Sequence, residues 1–337
     1  MTHLTAPEME ALWQTLEREQ PSSGLYRARR ARSGGRTACF LGVRNSSSAI
    51  AALFEFPRSD LPGDNFQFDT EALTIVRGEA DRNGSVLFGV ELRSARLRTL
   101  FASLVSDLIG HLDADRGRSQ STALLERLHT WQEAFKSERP PLTREEAVGL
   151  WGELHSLELI AAMLGGEAAV QSWKGPEDGI HDFVRLGTAL EIKTTTGLAP
   201  YIPISSLDQL DRKGLARLGL MRIQTREVEP ERADGYSLAE AVRRVREVIG
   251  GAELERKLAM VGWRDESAGR YDEPRLMIVD LSVLEVLDGF PALTRGNVPT
   301  GISEVRYQLD PRSLGSFVLS SDAARSMMVS MGGDVGS

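Results

Sequence analysis

The stretch GIHDFVRLGTALEIKTTTG, residues 179 to 197, places charged side chains among residues that belong in a protein core. Its apolar positions indicate two short β-strands, and Gly187 stands where a turn would join them. Asp182 lies on the first strand, and Glu191 and Lys193 lie on the second. Burying a charge costs free energy unless it is paired or binds a metal ion. The segment therefore predicts either a structural ion pair or a functional site.

Side chains alternate along a strand, so Glu191 and Lys193 share one face. If the chain turns back near Gly187, Asp182 falls roughly opposite Glu191. Two carboxylates and an ammonium group then meet at the mouth of a sheet. Oxygen ligands of this kind suit Mg²⁺, which can polarise a phosphoryl oxygen and generate hydroxide from bound water. The residues alone leave both interpretations open, a metal site and a structural ion pair.

A helix upstream offers a third acid. Thr143 and Glu146 form a capping-box pattern, apolar residues follow at helical spacing, and Gly165 ends the run. Glu153 and Glu158 fall at opposite edges of the apolar stripe, so helical geometry alone does not choose between them.

The acid-x-Lys pattern occurs three times in the chain, at residues 191–193, 211–213 and 255–257. The copy at 211–213 fits a helix end before Gly214, where basic residues are favourable. The copy at 255–257 lies within a helical pattern, and both of these are interpreted as exposed charges. The pattern at 191–193 alone lies on a predicted strand with an acid on the preceding strand.

The first 90 residues predict a β-rich domain, since four apolar runs alternate with turn residues: RTACFLGVR, AIAALFEF, ALTIVRGE and SVLFGVEL. Two helical stripes follow, and the segment SERPPLT, residues 137–143, predicts a boundary between domains 1–138 and 143–325. In the second domain the predicted order after the first helix is a strand at AAVQSW, two strands at HDFVRL and TALEIKT, a strand at YIPIS and a helix from Ser205 or Ser206. This order indicates a mixed α/β fold.

The amino-acid composition excludes several classes of protein. A net charge of −8 argues against a chain that coats nucleic acid indiscriminately. The single cysteine, Cys39, excludes a disulfide framework and a cysteine-based zinc cluster. No apolar run of membrane-spanning length and no signal-peptide pattern is found, so a cytoplasmic protein without a membrane partner is expected. The run YRARRARSGGR, residues 26–36, is either a solvated strand or loop, or a surface that contacts phosphates.

The stretch GLWGELHSLELI…WKGPEDGIHDFVRLGTALEIKTTT…ISSLDQL resembles the PD-(D/E)XK nuclease superfamily. In particular it is similar to a bacterial group called "PD-(D/E)XK motif protein", encoded near phage-defence and restriction genes. The likeness covers most of residues 143–310. It implies a restriction-endonuclease-like α/β core, a mixed central sheet flanked by helices, beside a smaller N-terminal β-rich domain with two following helices.

The resemblance also implies roles for individual residues. Asp182 matches the motif aspartate, Glu191 the second acid and Lys193 the motif lysine. Glu153, in WGEL, matches the glutamate of the first core helix, which favours it over Glu158. His181 stands where the motif's proline would be.

By that resemblance the chain is a hydrolase, a Mg²⁺- or Mn²⁺-dependent DNA endonuclease of a bacterial defence or restriction-type system. Asp182, Glu191 and Glu153 would hold the metal ion, and these three with Lys193 would form the catalytic set. Expected partners are DNA, other subunits of a defence system and a second copy of the chain. Residues proposed to contact substrate are His181, Gln209, Arg27, Arg29 and Arg30. The alternatives are a catalytically silent DNA-binding or scaffolding subunit, and a nuclease acting on RNA or modified DNA.

Overall fold

The computed structural model describes residues 4–21, 23–31, 37–61, 68, 70–80, 84–115, 119–136, 140–197, 201–302 and 304–332. Two compact units divide the chain: Met1–Pro140 with Gly251–Gly262, and Pro141–Gly250 with Trp263–Ser337. The division falls within the predicted boundary segment, of which residues 137–139 lie outside the described residues. The second unit is interrupted, because residues 251–262 belong to the first. Independent folding of the two predicted domains stays a prediction.

The helices of the described residues are α1 Ala6–Arg18, α2 Arg98–Ala114, α3 Gln120–Trp131, α4 Arg144–Leu164, α5 Gly166–Ser172, α6 Leu238–Val248, α7 Ala252–Met260 and α8 Ser321–Ser330. The strands are β1 Tyr26–Arg30, β2 Ala38–Arg44, β3 Ile50–Pro57, β4 Leu73–Ala80, β5 Ser85–Leu92, β6 Phe183–Arg185, β7 Thr188–Thr196, β8 Ile202–Ile204, β9 Arg217–Val228, β10 Arg275–Glu285 and β11 Tyr307–Leu309. The predicted mixed α/β class is confirmed.

The first unit is built on an antiparallel sheet in the order β1-β2-β3-β5-β4. One face of the sheet packs on helices α1, α2, α3 and α7, and fully buried Trp13, Phe54, Phe101 and Trp131 fill the space between them. Residues 26–30 of the arginine run form edge strand β1, and residues 32–36 of that run lie outside the described residues. Helix α1 was not predicted, although a capping box of Thr5 and Glu8 marks its N-terminus.

Lys257 corrects one prediction in this unit. The acid-x-Lys pattern at 255–257 was expected to be an exposed helical charge, but Lys257 on α7 is fully buried. The helical spacing suggested that the Lys257 side chain is exposed to solvent. Helix α7 instead packs against helices that lie more than a hundred residues earlier in the chain. Long-range packing of this kind is not visible in a local pattern.

The second unit carries a mixed sheet in the order β10-β9-β7-β6. Strands β7 and β9 are parallel, and the β6–β7 and β9–β10 pairs are antiparallel. Helix α4 packs on β7 and on helices α5 and α6. Strands β8 and β11 form a separate two-stranded sheet. This arrangement sets the end of the β6–β7 hairpin beside the middle of α4.

Two predicted elements of the second unit are wrong. AAVQSW lies mostly in helix α5 rather than in a strand, and the residues after β8 form turns rather than a helix. In those turns Gln209 Oε1 accepts a hydrogen bond from the Ser205 amide, and Asp211 Oδ1 accepts one from the Lys213 amide. Such local side-chain bonds compete with helical ones, so the chain does not form a helix before β9.

Helix α4 is, among the described residues, the one helix that is long and apolar enough to cross a membrane. This holds by length and composition only, and the core helix of a water-soluble protein shares both properties. The expectation that no apolar run reaches membrane-spanning length is thus corrected for this helix, which contains Glu153, His155 and Glu158. These residues lie on a helix that packs within its own unit.

The turn between β6 and β7 has two residues with positive φ, Leu186 at 51° and Gly187 at 79°. Arg185 and Thr188 pair on either side of it, so the turn is a tight hairpin of the type that favours Asn-Gly. A leucine in this left-handed region is strained. Leu186 is 62% exposed, so little packing offsets that strain.

We therefore expect Leu186→Asn to raise the free energy of unfolding by about 1 kcal/mol, measured from the urea midpoint. Leu186→Ala is the matched control, because alanine keeps the left-handed penalty and should give no such gain. An unchanged or lower midpoint for Leu186→Asn would show that the exposed leucine makes stabilising contacts of its own.

Candidate active site

The β6–β7 hairpin brings Asp182 and Glu191 opposite each other. Phe183 pairs with Leu190, and Asp182, one residue before β6, continues that register to Glu191. The Asp182 carboxylate turns toward β7, where its Oδ2 accepts a hydrogen bond from the Ile192 amide at 2.7 Å. The two acids lie at the same point of the sheet, as the sequence predicted.

Glu191 and Lys193 form a buried ion pair. Lys193 Nζ lies 2.7 Å from Glu191 Oε1, and the Glu191 side chain is 2% exposed. The second oxygen of that carboxylate, Oε2, is buried and has no hydrogen-bond partner among the described residues. Lys193 thus pairs with one oxygen of the Glu191 carboxylate, and the other oxygen has no partner among the described residues.

Glu153 reaches the same cluster from α4. The helix can approach β7 closely because Gly152 has no side chain, since a Cβ there would overlap the Thr194 hydroxyl. The Glu153 side chain is oriented by Trp173, whose Nε1 donates to Glu153 Oε2 at 2.7 Å. Glu158, the alternative acid, instead pairs with Arg244 at 2.7 Å. The structure thus places Glu153, and not Glu158, in the site.

Gly175 forms the wall that Glu153 and Asp182 share. An ideal Cβ on Gly175 would lie 2.9 Å from Glu153 Oε2 and 3.3 Å from Asp182 Oδ1. The amides of Lys174 and Gly175 both donate to the Asp182 carbonyl oxygen, which fixes this segment against the start of β6. The missing side chain at Gly175 leaves room for both carboxylate groups.

The electrostatics of the cluster follow from its burial and its surplus of acids. Burial, with a smaller contribution from the nearby Glu191, raises the pKa of Glu153 to about 7, although the Trp173 hydrogen bond and Lys193 act in the opposite direction. Burial also raises the pKa of Asp182 well above its ordinary value, and Glu153 and Glu191 add to the rise. Three carboxylates thus surround one lysine, an arrangement that favours an additional cation or a bound proton.

His181 connects the cluster to an open cleft. Its Nδ1 lies 3.8 Å from Glu191 Oε2, and neither atom has a hydrogen-bond partner in the described part of the chain. The cleft has a volume of about 620 Å³, and Asp208, Lys213 and Arg295 line it together with His181. His181 is thus the residue that lines the cleft and also lies next to Glu191.

The other predicted substrate contacts are not gathered at this site. Gln209 lies in the turns after β8, where its side chain bonds the Ser205 amide. Arg27, on β1 of the first unit, is buried and donates to the Leu16 carbonyl and to Asn45. Its role as a phosphate contact is corrected, because the guanidinium group is not open to a phosphate. Arg29 pairs with Glu19 at 2.9 Å, and Arg30 is exposed.

Two residues of the site were missed at the sequence level. Trp173 is a fully buried core residue, and its indole also orients Glu153. Gly175 lies in the short turn before β6. A tryptophan and a glycine before the motif aspartate carry no periodic signal, so no pattern in one sequence distinguishes these roles.

The donor atoms of the cluster are carboxylate oxygens, and these suit the divalent cation that the resemblance implies. Mg²⁺ takes one or two protein carboxylates and keeps several waters, and the open Glu191 Oε2 and the Gly175 wall provide oxygens and space. As the side chains are placed, no group of three or more His, Cys, Asp or Glu residues in the described ranges could hold a metal ion. Lys193 Nζ occupies the side of the Glu191 carboxylate at Oε1.

Filling the space at Gly175 tests this geometry. We expect Gly175→Ala to displace the Glu153 and Asp182 carboxylates and to lower the nuclease activity that the resemblance implies about 10- to 100-fold, as small displacements at catalytic sites do. Gly149→Ala on α4 is the matched control, because a Cβ there meets nothing within 4 Å. The control should keep full activity and gain about 0.5–1 kcal/mol of helix stability. Equal activities of the two variants would remove Gly175 from the site.

Comparison with known proteins gives one family. The family model described as "Putative PD-(D/E)XK family member, (DUF4420)" matches residues 9–311. The match includes Glu153, Asp182, Glu191 and Lys193, and it extends over most of both units. No curated protein and no solved structure matches the chain.

Proposed function

This chain belongs to the putative PD-(D/E)XK family (DUF4420), and from that premise we propose that it is a Mg²⁺- or Mn²⁺-dependent DNA endonuclease. Membership of this family supports a nuclease-like function in general. The finer proposal adds hydrolysis of phosphodiester bonds within DNA, in a bacterial defence or restriction-type system. DNA is the proposed partner.

The observation that carries the proposal is the surplus of acids around one lysine. A structural ion pair needs one carboxylate for Lys193, and Glu191 supplies it at 2.7 Å. Asp182 and Glu153 are then two further acids in the same place, and burial together with repulsion from neighbouring carboxylates raises the pKa of each. A purely structural cluster gains nothing from them, because each acid without a cation costs free energy of folding.

Each residue of the cluster has a proposed role. Asp182, Glu191 and Glu153 hold the divalent ion, which when bound polarises the phosphoryl oxygen and lowers the pKa of water. Lys193 donates a hydrogen bond to the attacking water or to the phosphoryl oxygens and offsets the negative charge that develops on them. His181 lies at the cleft beside Glu191, where it can contact the substrate strand.

The second candidate function is a catalytically silent DNA-binding or scaffolding subunit. The buried Glu191–Lys193 pair favours it, because such a pair is stable without any metal. The two candidates differ in their response to divalent ions.

The direct test is incubation of purified protein with supercoiled plasmid in Mg²⁺ or Mn²⁺, with a chelator as the control. Nicked or linear plasmid that forms only with the ion supports the endonuclease. Single-stranded RNA and modified DNA are assayed in parallel, because the site geometry does not distinguish these substrates. An intact substrate in every arm, at high protein concentration and with both ions, supports the silent subunit.

A further inference from the structure

The residues beside Lys193 on the sheet of the second unit form a polar row. In the parallel β7–β9 pair Lys193 is in register with Arg222, and in the antiparallel β9–β10 pair Arg222 is in register with Ser282. Side chains of paired residues on neighbouring strands point to the same face of a sheet. Arg222 therefore lies on the face that carries Lys193, one strand away, at a strand spacing of about 4.8 Å.

The buried core on this face ends one row before Lys193 and Arg222. Leu220 and Leu284 occupy the row of Glu191, and both are buried in a core shared with the β8–β11 sheet. In the next row the side chains of Lys193 and Arg222 are 14% and 16% exposed. The polar row thus borders the core and reaches solvent beside the proposed metal ligands.

Arg222 is held in place by two side chains of the following row. Its Nη1 lies 3.0 Å from Asp280 Oδ2 on β10, and its Nη2 donates to Gln224 Oε1 at 2.8 Å. These contacts use two of the five N–H donors of a guanidinium group. The Asp280 side chain is 51% exposed, and an ion pair at that exposure contributes little to stability. An incoming anion can therefore displace Asp280.

We propose that Arg222 binds the DNA backbone phosphate next to the one that contacts Lys193, and that Asp280 takes the place of this phosphate when DNA is absent. The inference rests on the proposed function, in that it takes DNA as the ligand of this site. A guanidinium group binds phosphate and carboxylate oxygens with the same forked geometry. The exchange of Asp280 for a phosphate therefore leaves the arginine where Gln224 holds it.

The spacing of the row fits the spacing of phosphates along a strand. Each strand of a DNA duplex carries one phosphate per about 3.4 Å of helix axis. Neighbouring strands of the sheet are about 4.8 Å apart, and both Lys193 and Arg222 have long side chains. A DNA strand that crosses the sheet from β7 to β9 therefore presents successive phosphates to the lysine and to the arginine.

The experiment is a fluorescence anisotropy titration of the full chain with two short DNA duplexes of unrelated sequence. Ca²⁺ replaces Mg²⁺, gels verify that the duplexes stay intact, and the salt concentration is varied. Arg222→Gln should weaken binding of both duplexes about tenfold, the loss of one charge-assisted contact. The slope of log affinity against log salt should decrease in magnitude by about 1, the value for one phosphate contact.

Asp280→Asn should have the opposite effect, because it releases the guanidinium group for the phosphate. We expect the affinity to rise about two- to fivefold, the strength of an exposed ion pair. In the double variant with Arg222→Gln this gain should vanish. An equal gain in both backgrounds would mean that Asp280 acts only through its negative charge, and it would overturn the exchange.

Arg217→Gln is the matched control. Arg217 also lies on β9 and also pairs with an acid of β10, Glu285 at 2.7 Å. It stands an odd number of positions from Arg222, so its side chain lies on the opposite face of the sheet. Its loss should leave the affinity for DNA and the salt slope unchanged. Thermal melts of all variants verify that each one is folded.

Three results overturn the proposal: unchanged affinity in Arg222→Gln, a loss confined to one of the two duplexes, or no binding of either duplex by the wild type. A loss confined to one sequence would mean that Arg222 contacts a base, because phosphate contacts carry no sequence information. Failure of the nuclease proposal has a different signature, which is intact plasmid in both Mg²⁺ and Mn²⁺. A wild type that binds DNA through Arg222 without cleaving it would retain this role of Arg222 and support the silent subunit.

Discussion

Asp182→Asn and Glu191→Gln are each expected to abolish Mg²⁺-dependent plasmid cleavage, because each replaces an anionic carboxylate ligand of the proposed ion with a neutral amide. Lys193→Ala should lower cleavage by about 10²- to 10³-fold, the size of effect seen when one transition-state donor is lost. Its metal affinity should be retained, since an ammonium group is not a ligand and its removal frees Glu191 Oε1. Initial cleavage rates and Mn²⁺ titration calorimetry measure the two properties separately.

Lys136→Ala is the matched control for the lysine. Lys136 also pairs with a glutamate, Glu133 at 2.6 Å, but it is 60% exposed and belongs to the first unit. Its loss should leave cleavage and metal affinity unchanged. Equal rates for Lys193→Ala, Lys136→Ala and the wild type would contradict the proposed role of Lys193 and indicate that the activity comes from another site or another protein.

The β6–β7 hairpin could be predicted from the sequence because its constraints are local. Apolar residues mark the two strands, and Gly187 marks the turn between them. Because side chains alternate between the two faces of a strand, the position of the turn specifies which residues face each other. The opposition of Asp182 and Glu191 follows from that register alone. The same reasoning predicted β2 to β5 in the first unit, where turn residues separate strongly apolar runs.

The failures occur where the deciding interaction is not local. The short apolar run AAVQSW fits a strand and a buried helix equally well by periodicity, and it is mainly helix α5. The residues after β8 form turns because Gln209 and Asp211 bond nearby amides. Lys257 is buried by helices distant in sequence.

The candidate site shows the same limit. Helical geometry left Glu153 and Glu158 as equal alternatives, and the resemblance was needed to prefer one of them. In the structure the choice depends on two long-range contacts: Trp173 bonds Glu153, and Arg244 holds Glu158. Neither contact follows from the spacing of the acids. The second acid-x-Lys pattern, at 211–213, has an exposed lysine as expected, but it lies in a turn.

The stability of the metal-free protein should fall as pH rises through the range in which Glu153 and Asp182 ionise. Glu153 has a folded-state pKa of about 7 against an ordinary value of 4.5. Because burial disfavours the ionised form, the protonated carboxyl group does not destabilise the fold below pH 4.5. The free energy of unfolding then decreases as the pH rises from 4.5 to about 7. A shift of this size corresponds to about 3 kcal/mol of lost stability. Asp182 adds to the loss in the same direction.

Glu153→Gln should remove this penalty. Glutamine has nearly the same shape and keeps an acceptor for the Trp173 indole, but it carries no charge. In EDTA at pH 8 the variant is expected to melt several degrees above the wild type, and the difference should shrink toward pH 5. Mg²⁺ should raise the melting temperature of the wild type at pH 8 and that of Glu153→Gln by less. Differential scanning calorimetry with and without Mg²⁺ measures both effects.

Glu158→Gln is the matched control, because Glu158 lies on the other edge of the same helix and pairs with Arg244. Its loss should lower the melting temperature slightly or not at all, with no dependence on Mg²⁺. A structural ion pair predicts a different pattern, since removing one partner leaves a buried charge uncompensated. If Glu153→Gln, Glu191→Gln and Lys193→Ala all melt lower than the wild type, and Mg²⁺ shifts none of the four proteins, then the cluster is a salt-bridged core and the nuclease proposal fails.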